Sequence, residues 1–265
     1  MAPPVRLLQL TDTHLHASDE ANLCGIRTTD SLARVIELAR AHNWPPDAVL
    51  ATGDLSQDET PESYRRFVDT FSALNVPVHC LPGNHDIPRK MAETFTGSFN
   101  VNLTRWAELG AWQVVLLNTS VPNDNGGELA DSELEFLGTT LRENSDRHAL
   151  ICLHHNPVAV GSEWLDTMQL RNSRAFFAVT ERYANVKAIL WGHVHQEYDA
   201  MRDGVRLLAT PSTCVQFLPG SRKFSIDTRP PGYRWLTLNP DGTLETGVRR
   251  LETYPFVPDL STRGY

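Results

Sequence analysis

The chain has 265 residues, 41% of them hydrophobic and 21% charged, with a net charge of -8. These proportions are globular, sufficient for one large α/β domain or two small ones, and they argue against disorder. The acidic balance argues against a nucleic-acid groove as the main site, although bound metal cations can still draw in an anionic substrate.

The N-terminal stretch MAPPVRLLQLTDTH lacks the charged region and long apolar run of a signal peptide. No apolar stretch approaches the ~20 residues that span a membrane. Cys24, Cys80, Cys152 and Cys214 are far apart and form no CxxC pair, so reduced thiols in a cytoplasmic protein are expected.

Val5–Leu10 is a short apolar run with the character of a buried strand. Thr29–Ala41 reads as a helix, with Leu32, Val35, Ile36 and Ala39 at helical spacing and Thr29 as N-cap. Ala48–Thr52 is a second strand, Pro61–Leu74 a second helix with Tyr64, Phe67, Val68 and Phe71 on one face, and Pro77–Leu81 a third strand. Further strands are expected over Trp112–Asn118, Ala149–His154 and Val186–Trp191, separated by helices near 131–143 and 172–183. This alternation implies a layered α/β fold. Beyond Gly192, Asp203-Gly204 and Asp241-Gly242 read as hairpin turns between β-like runs. The expectation is a single domain over 1–265 whose C-terminal third, about 196–265, is mostly antiparallel, with Arg229–Gly232 as a loop.

The polar residues collect where strands end. Asp12 and His14 follow the first strand, Asp54 the second and Asn84 and His85 the third; His154 and His155 follow ALICL, and His193 and His195 follow AILW. The C-terminal edge of strands is where α/β sheets bind ligands, and short loops on rigid strands hold side chains firmly. Asp12, His14, Asp54, Asn84, His154, His193 and His195 are oxygen and nitrogen donors without a thiolate, a set suited to Zn²⁺, Mn²⁺, Fe or Co²⁺. Seven groups exceed one tetrahedral ion. They fit two ions about 3.5–4 Å apart bridged by a carboxylate, for which Asp54 is the natural choice.

Taken together, the motifs DTH, GD, GNHD, a later H and GHVH, spanning Asp12 to His195, resemble those of the calcineurin-like metallophosphoesterases. The resemblance implies a four-layer α-β-β-α sandwich of two facing mixed β-sheets flanked by helices. It implies that Asp12, His14 and His195 hold one metal with Asp54, that Asn84, His154 and His193 hold the other with Asp54, and that His85 is catalytic. Many family members carry Asp three positions after the bridging Asp, paired with the catalytic His. Here GDLSQD puts Gln57 there, which leaves Asp58 and Asp86 as alternative partners of His85, each equally suited to a helix or turn role. His42, His79 and His148 have no motif neighbours and are expected to be structural or solvent-facing, whereas His16 and His155 are placed to line the pocket.

The stretches TDTHLHA (11–17), ATGDLSQD (51–58), HHNPVAVGSEWLD (154–166) and TPSTCVQFLPGS (210–221) resemble those of the bacterial class III cyclic-AMP phosphodiesterases. That implies hydrolysis of 3′,5′-cyclic AMP to 5′-AMP by in-line attack of a metal-bridging hydroxide, with His85 as the acid. His14, Asn84, His85, His155, His195 and Trp164 would face the substrate. Competing readings are a phosphomonoesterase, a pyrophosphatase of nucleotide conjugates or a nuclease, the last disfavoured by charge. A non-enzymatic scaffold is disfavoured by the complete ligand set. The loop 156–172 is expected to shape the pocket through Trp164, Leu165 and Leu170, the alternative being that these pack on the sheet. Expected partners are a small cyclic nucleotide, no nucleic-acid polymer and no membrane, the chain being a monomer or homodimer.

Overall fold

The computed structural model describes residues 3–255 and 257–264, so Met1, Ala2, Phe256 and Tyr265 of the expected span lie outside the described residues. The first half runs β1 (Val5–Gln9), a short pair β2 (Asn22–Leu23) and β3 (Ile26–Arg27), α1 (Thr28–His42), β4 (Ala48–Thr52), α2 (Pro61–Ser72), β5 (Val78–Leu81), α3 (Pro88–Phe95), β6 (Val101–Leu103), β7 (Trp106–Leu109) and β8 (Trp112–Leu116). Then come α4 (Asp131–Glu143), β9 (His148–Leu153), α5 (Glu163–Asp166), α6 (Ser173–Thr180), β10 (Val186–Trp191), β11 (Tyr198–Arg202) and β12 (Val205–Ala209). The last strands are the pair β13 (Gln216–Phe217) and β14 (Ile226–Asp227), then β15 (Gly232–Leu238) and β16 (Leu244–Arg250).

Two six-stranded sheets result, in the orders β16-β15-β1-β4-β5-β6 and β11-β12-β10-β9-β8-β7. Both are mixed. β1, β4, β5 and β6 run parallel, as do β8, β9, β10 and β12, while β15 and β16 extend the first sheet antiparallel and β11 and β7 close both edges of the second antiparallel. The strands that precede the candidate donors are the parallel central ones.

Side-chain alternation divides the apolar residues into three layers. Leu7, Ala48, Leu50, Val114, Leu150, Leu190 and Leu236 face inward and fill the space between the sheets. The intervening Leu8, Val49 and Ala51 face outward, against Leu32, Val35 and Ile36 of α1 and Phe67 and Phe71 of α2. Val115, Ala149, Ile151 and Ile189 do the same on the second sheet, against Leu137 and Leu141 of α4 and Phe176 of α6. Strands covered on both faces read as continuous apolar runs, and for this reason Ala48–Thr52 and Ala149–Leu153 are wholly buried. The architecture is the expected helix–sheet–sheet–helix sandwich.

Several expectations need correction in detail. Thr29 is not an N-cap: α1 begins at Thr28, and Arg27 holds the cap position without a side-chain cap bond. The β2–β3 ladder ends at Arg27 and feeds the chain straight into the helix. In α2, Thr60 Oγ1 does cap, accepting from Ser63 N at 3.1 Å, with Pro61 in the first turn where its missing N–H costs nothing. The two expected hairpin turns are present, Asp203 and Gly204 at φ 49° and 84° between β11 and β12, and Gly242 at φ 87° between β15 and β16. Arg229–Pro231 is loop, and Gly232 opens β15. Among the described residues no helix is long and apolar enough to cross a membrane.

Candidate metal centre

The loops after β1 and β4 stay paired beyond the sheet. Asp12 N donates to Gly53 O at 3.1 Å, His14 N to Asp54 O at 2.9 Å and Leu15 N to Leu55 O at 3.0 Å. That pairing sets Asp12 and His14 beside Asp54. Asp12, His14, Asp54, His193 and His195 all adopt positive φ, between 44° and 64°. For residues with a Cβ this conformation costs about 1–2 kcal/mol each. Five such residues among the seven candidate donors show that the fold bears strain to aim these side chains inward.

Each carboxylate spends one oxygen on the backbone. Asp12 Oδ1 accepts His193 N at 2.9 Å, and Asp54 Oδ1 accepts His85 N at 2.9 Å. The other oxygens, Asp12 Oδ2 and Asp54 Oδ2, are buried and have no hydrogen-bond partner among the described residues. The imidazoles are anchored in a common way. His14 Nδ1 faces Gln57 Oε1 at 2.7 Å, His154 Nδ1 faces Thr52 O at 2.8 Å and His195 Nδ1 faces Val215 O at 2.8 Å. An acceptor at Nδ1 favours the proton there and turns Nε2 towards the cluster.

The ring nitrogens converge. His14 Nε2 and His195 Nε2 are 3.1 Å apart, His154 Nε2 and His193 Nδ1 each lie 3.0 Å from Asn84 Oδ1, and Asp54 Oδ2 is 3.3 Å from His154 Nε2 and 3.7 Å from His14 Nε2. With bonds of about 2.0–2.2 Å, donors around one ion sit about 3–3.5 Å apart, so the spacing fits. Asp12, His14, Asp54 and His195 form one buried set, with donor atoms within 4.8 Å of one another; His154, His155 and His193 form a second. The cluster is suited to a dinuclear metal site, and Asp54 Oδ2 stands at the junction.

Electrostatics agree. Burial disfavours the Asp54 anion, but His154 and His85 beside it hold its carboxyl well below the usual range. Burial likewise disfavours the His154 cation, yet Asp54 pushes that ring up to about 9. His14, His155 and His193 are held well below the ordinary imidazole value by burial foremost. Three of the four neighbouring rings are thus held neutral, as ligands to cations must be.

The carboxylates considered for His85 are both bonded to the main chain of the surrounding loops. Asp86 accepts Gly83 N at 2.9 Å and also Leu55 N and Ser56 N, tying the β4 and β5 loops together; burial and the neighbouring Asp54 push it up to about 7. Asp58 accepts Ala17 N at 2.8 Å and Thr60 Oγ1 at 2.8 Å. Both therefore take the turn role. Gln57, at the position where an acid was expected, serves His14 instead. His42, His79 and His148 bond to Leu38 O, Thr104 Oγ1 and Pro240 O and are structural. His16 is half-buried with Asp58 3.9 Å away. The segment 210–221 lies behind the site: Ser212 Oγ donates to Asp12 O at 2.7 Å, and Phe217 stacks on His195 at 4.2 Å.

Two cavities open beside the cluster, both lined by Asn84, His85 and Asn125. One, about 200 Å³, is walled by Trp164, Leu165, Met168, His193 and Phe224. The other, about 780 Å³, runs along Ile87, Asn118, Ser120 and Asn123. The loop 156–172 thus divides its apolar residues: Leu170 packs in the core, whereas Trp164 and Leu165 both line the cavity and pack against the core.

Close approach explains two glycines. A Cβ at Gly83 would stand 2.1 Å from Asp54 Oδ1 and 2.4 Å from Asp54 N, and one at Gly53, where φ is +100°, 2.3 Å from His154 Nδ1. Gly83→Ala is expected to cost about 2–4 kcal/mol in denaturant unfolding and to lower metal content. An unchanged midpoint would contradict the packing.

A four-layer sandwich with this buried His/Asp cluster is the architecture of a metallophosphoesterase. The chain belongs to the calcineurin-like phosphoesterase family, whose model matches residues 5–197. It is 43% identical to the Pseudomonas aeruginosa 3′,5′-cyclic adenosine monophosphate phosphodiesterase CpdA over 98% of this chain and 95% of that protein. It is 41% identical to the Escherichia coli K12 protein of the same name, over 98% and 95%. A dimetal phosphatase from Danio rerio superposes with a TM-score of 0.63 at 14% identity, covering 89% of this chain and 96% of that one. A purple acid phosphatase from yellow lupin seeds does so with 0.66 at 16%, covering 94% and 52%. These two likenesses speak to the fold alone.

Proposed function

We propose that this chain hydrolyses 3′,5′-cyclic AMP to 5′-AMP. The observation that carries the reading is the pair of donor sets meeting at Asp54 Oδ2, with His85 on the open, cavity side. The activity named for the 41–43% identical relatives supports the substrate. In this reading Asp12, His14 and His195 would hold one ion, Asn84, His154 and His193 would hold the other, and Asp54 would serve both. Two divalent ions drawn from Fe, Mn, Zn and Co would supply Lewis acidity and neutralise phosphate oxygens. The chain's own residues do the rest. Gln57, Thr52 and Val215 keep the imidazoles in register. His85, on the same short loop as Asn84, gives a proton to the leaving 3′ oxygen, and the two cavities take the nucleoside. His14, Asn84, His85, His155, His195 and Trp164 border the space for the phosphate and its substituents. The net charge of -8 supports a small substrate over a nucleic-acid polymer. Four free thiols support a cytoplasmic setting, with the chain as monomer or homodimer.

Chromatography of cyclic AMP with purified protein and added Mn²⁺ or Fe²⁺ tests this; 5′-AMP is the expected product. Cyclic AMP surviving while a nucleoside monophosphate or dinucleotide polyphosphate is cut fast would replace the reading with a phosphomonoesterase or pyrophosphatase. Trp164, whose Nε1 is held by Ser221 Oγ at 3.1 Å and whose ring meets Phe217 and Phe224, is expected to bind the nucleoside. Trp164→Ala should raise KM for cyclic AMP about tenfold or more, the loss of one aromatic contact of ~1–3 kcal/mol. An unchanged KM assigns Trp164 to packing alone.

A further inference from the structure

His155 follows candidate ligand His154 just beyond β9. In a continuing strand the two side chains would point to opposite faces, but the strand ends at Leu153 and both rings turn inward. The His155 ring centroid lies 4.9 Å from that of His154 and 4.7 Å from that of His193. The three histidines each offer a nitrogen within 4.8 Å of the others.

The His155 ring is held as the other inward imidazoles are. Nδ1 faces Thr119 Oγ1 at 2.7 Å, and the His155 main-chain N donates to the same hydroxyl oxygen at 3.4 Å. The hydroxyl has one proton and two lone pairs, so it accepts from the main chain and still pairs with Nδ1 in either tautomer, which fixes the orientation of the ring. Nε2 is buried and makes no hydrogen bond of ordinary geometry to the described residues, although the Asn125 main chain also acts on the ring. An unsatisfied buried nitrogen costs about 1–3 kcal/mol. The ring cannot turn away, because it packs on Gly127, where a Cβ would stand 2.4 Å from His155 Cγ. Gly127 is itself fixed by Arg171 N donating to its carbonyl at 2.8 Å.

We propose that His155 Nε2 is a further ligand to the ion held by Asn84, His154 and His193, giving that ion a three-imidazole face. The proposal rests on the ligand assignment made above. It makes the two positions chemically unequal. One offers two imidazoles and two carboxylates; the other offers three imidazoles, an amide and a shared carboxylate oxygen. Imidazole favours Co²⁺ and Zn²⁺ over Mn²⁺, so the His155 side is the more selective for the later ion.

The test uses the full chain, stripped with a chelator and titrated separately with Co²⁺ and Mn²⁺ by calorimetry, with the visible absorption of Co²⁺ as a second readout. Wild type should bind two ions. His155→Ala should keep one and bind the other at least ~10–100-fold more weakly, with a larger loss for Co²⁺ than for Mn²⁺ and an altered Co²⁺ spectrum. Thr119→Val keeps the shape but releases the ring from its hydroxyl partner, so it should weaken the same ion by a smaller factor. If His155→Ala does not fold, His155→Phe, which keeps the ring without its nitrogens, takes its place with the same expected loss. Wild-type affinities and spectrum in the folded variants would overturn the proposal, and a raised KM alone would make His155 a substrate contact. Failure of wild type itself to bind two ions would sink the ligand assignment and this proposal with it, an outcome distinct from the last.

Discussion

Asp54→Ala should reduce the metal content from two ions per chain to one or none and lower kcat by at least about 10³-fold, a loss of roughly 4 kcal/mol in transition-state stabilisation. Asp54 Oδ2, which accepts no main-chain N–H, stands between the two donor sets. Asp54 Oδ2 lies 3.3 Å from His154 Nε2 in one and 3.7 Å from His14 Nε2 in the other, while Oδ1 fixes the His85 main chain at 2.9 Å. Alanine therefore removes a shared ligand, a buried negative charge and the anchor of the His85 loop together. Asp54→Asn separates these effects. Its amide oxygen still accepts His85 N–H, so the loop should stay in place, but the charge that holds two cations close is gone. Elemental analysis after gel filtration, alongside turnover of cyclic AMP, checks both variants. Two ions and near wild-type kcat in Asp54→Ala would refute the shared-ligand role.

The sequence makes some of this site legible and hides the rest for physical reasons. Asp12, His14, Asp54, Asn84, His154, His193 and His195 are visible because polar donors directly after apolar strand runs are conspicuous, and their order is specific. What holds them is not. Thr52 and Val215 act through carbonyl oxygens, which leave no trace in residue type. Gln57 is visible only as a departure from the family pattern, and the departure points towards His85 whereas the structure joins it to His14. Asp86 stands inside the motif, yet its work is to accept three main-chain N–H groups. The strained φ angles at five donors follow from loop pairing across the sheet and have no local signal beyond the neighbouring glycines.

The same division holds for the fold. Ala48–Thr52, Val186–Trp191 and the helix over 131–143 coincide with the elements observed, because doubly buried strands and amphipathic helices carry strong periodic signals. α3 escapes notice because only Met91 and Phe95 are buried in its eight residues, too few to establish a period. The pairing of β15 with β1, Val5 opposite Leu238, joins the two ends of the chain. Alternation in the C-terminal third implies antiparallel strands there but does not say which sheet they join.

His85→Ala should leave two ions bound and still lower kcat for cyclic AMP by about 10²–10⁴-fold, the usual scale of a general acid. His85 belongs to neither donor set. Its main-chain N–H, which alanine keeps, is what bonds to Asp54 Oδ1, so the cluster should survive the change. Its ring packs edge-on against His14 at 5.1 Å and lines both cavities, the position required to reach an oxygen leaving from the phosphate. The 3′ oxygen of a ribose departs as a poorly stabilised alkoxide and gains most from a proton. Nitrophenolate leaves readily without one, so the loss on an aryl phosphodiester should stay within about tenfold. The comparison is internal to one variant and does not depend on how much of the preparation is active. Equal losses on the alkyl and aryl substrates would assign His85 to substrate binding, and a loss of metal in His85→Ala would make it a support of the cluster; either outcome removes the acid role.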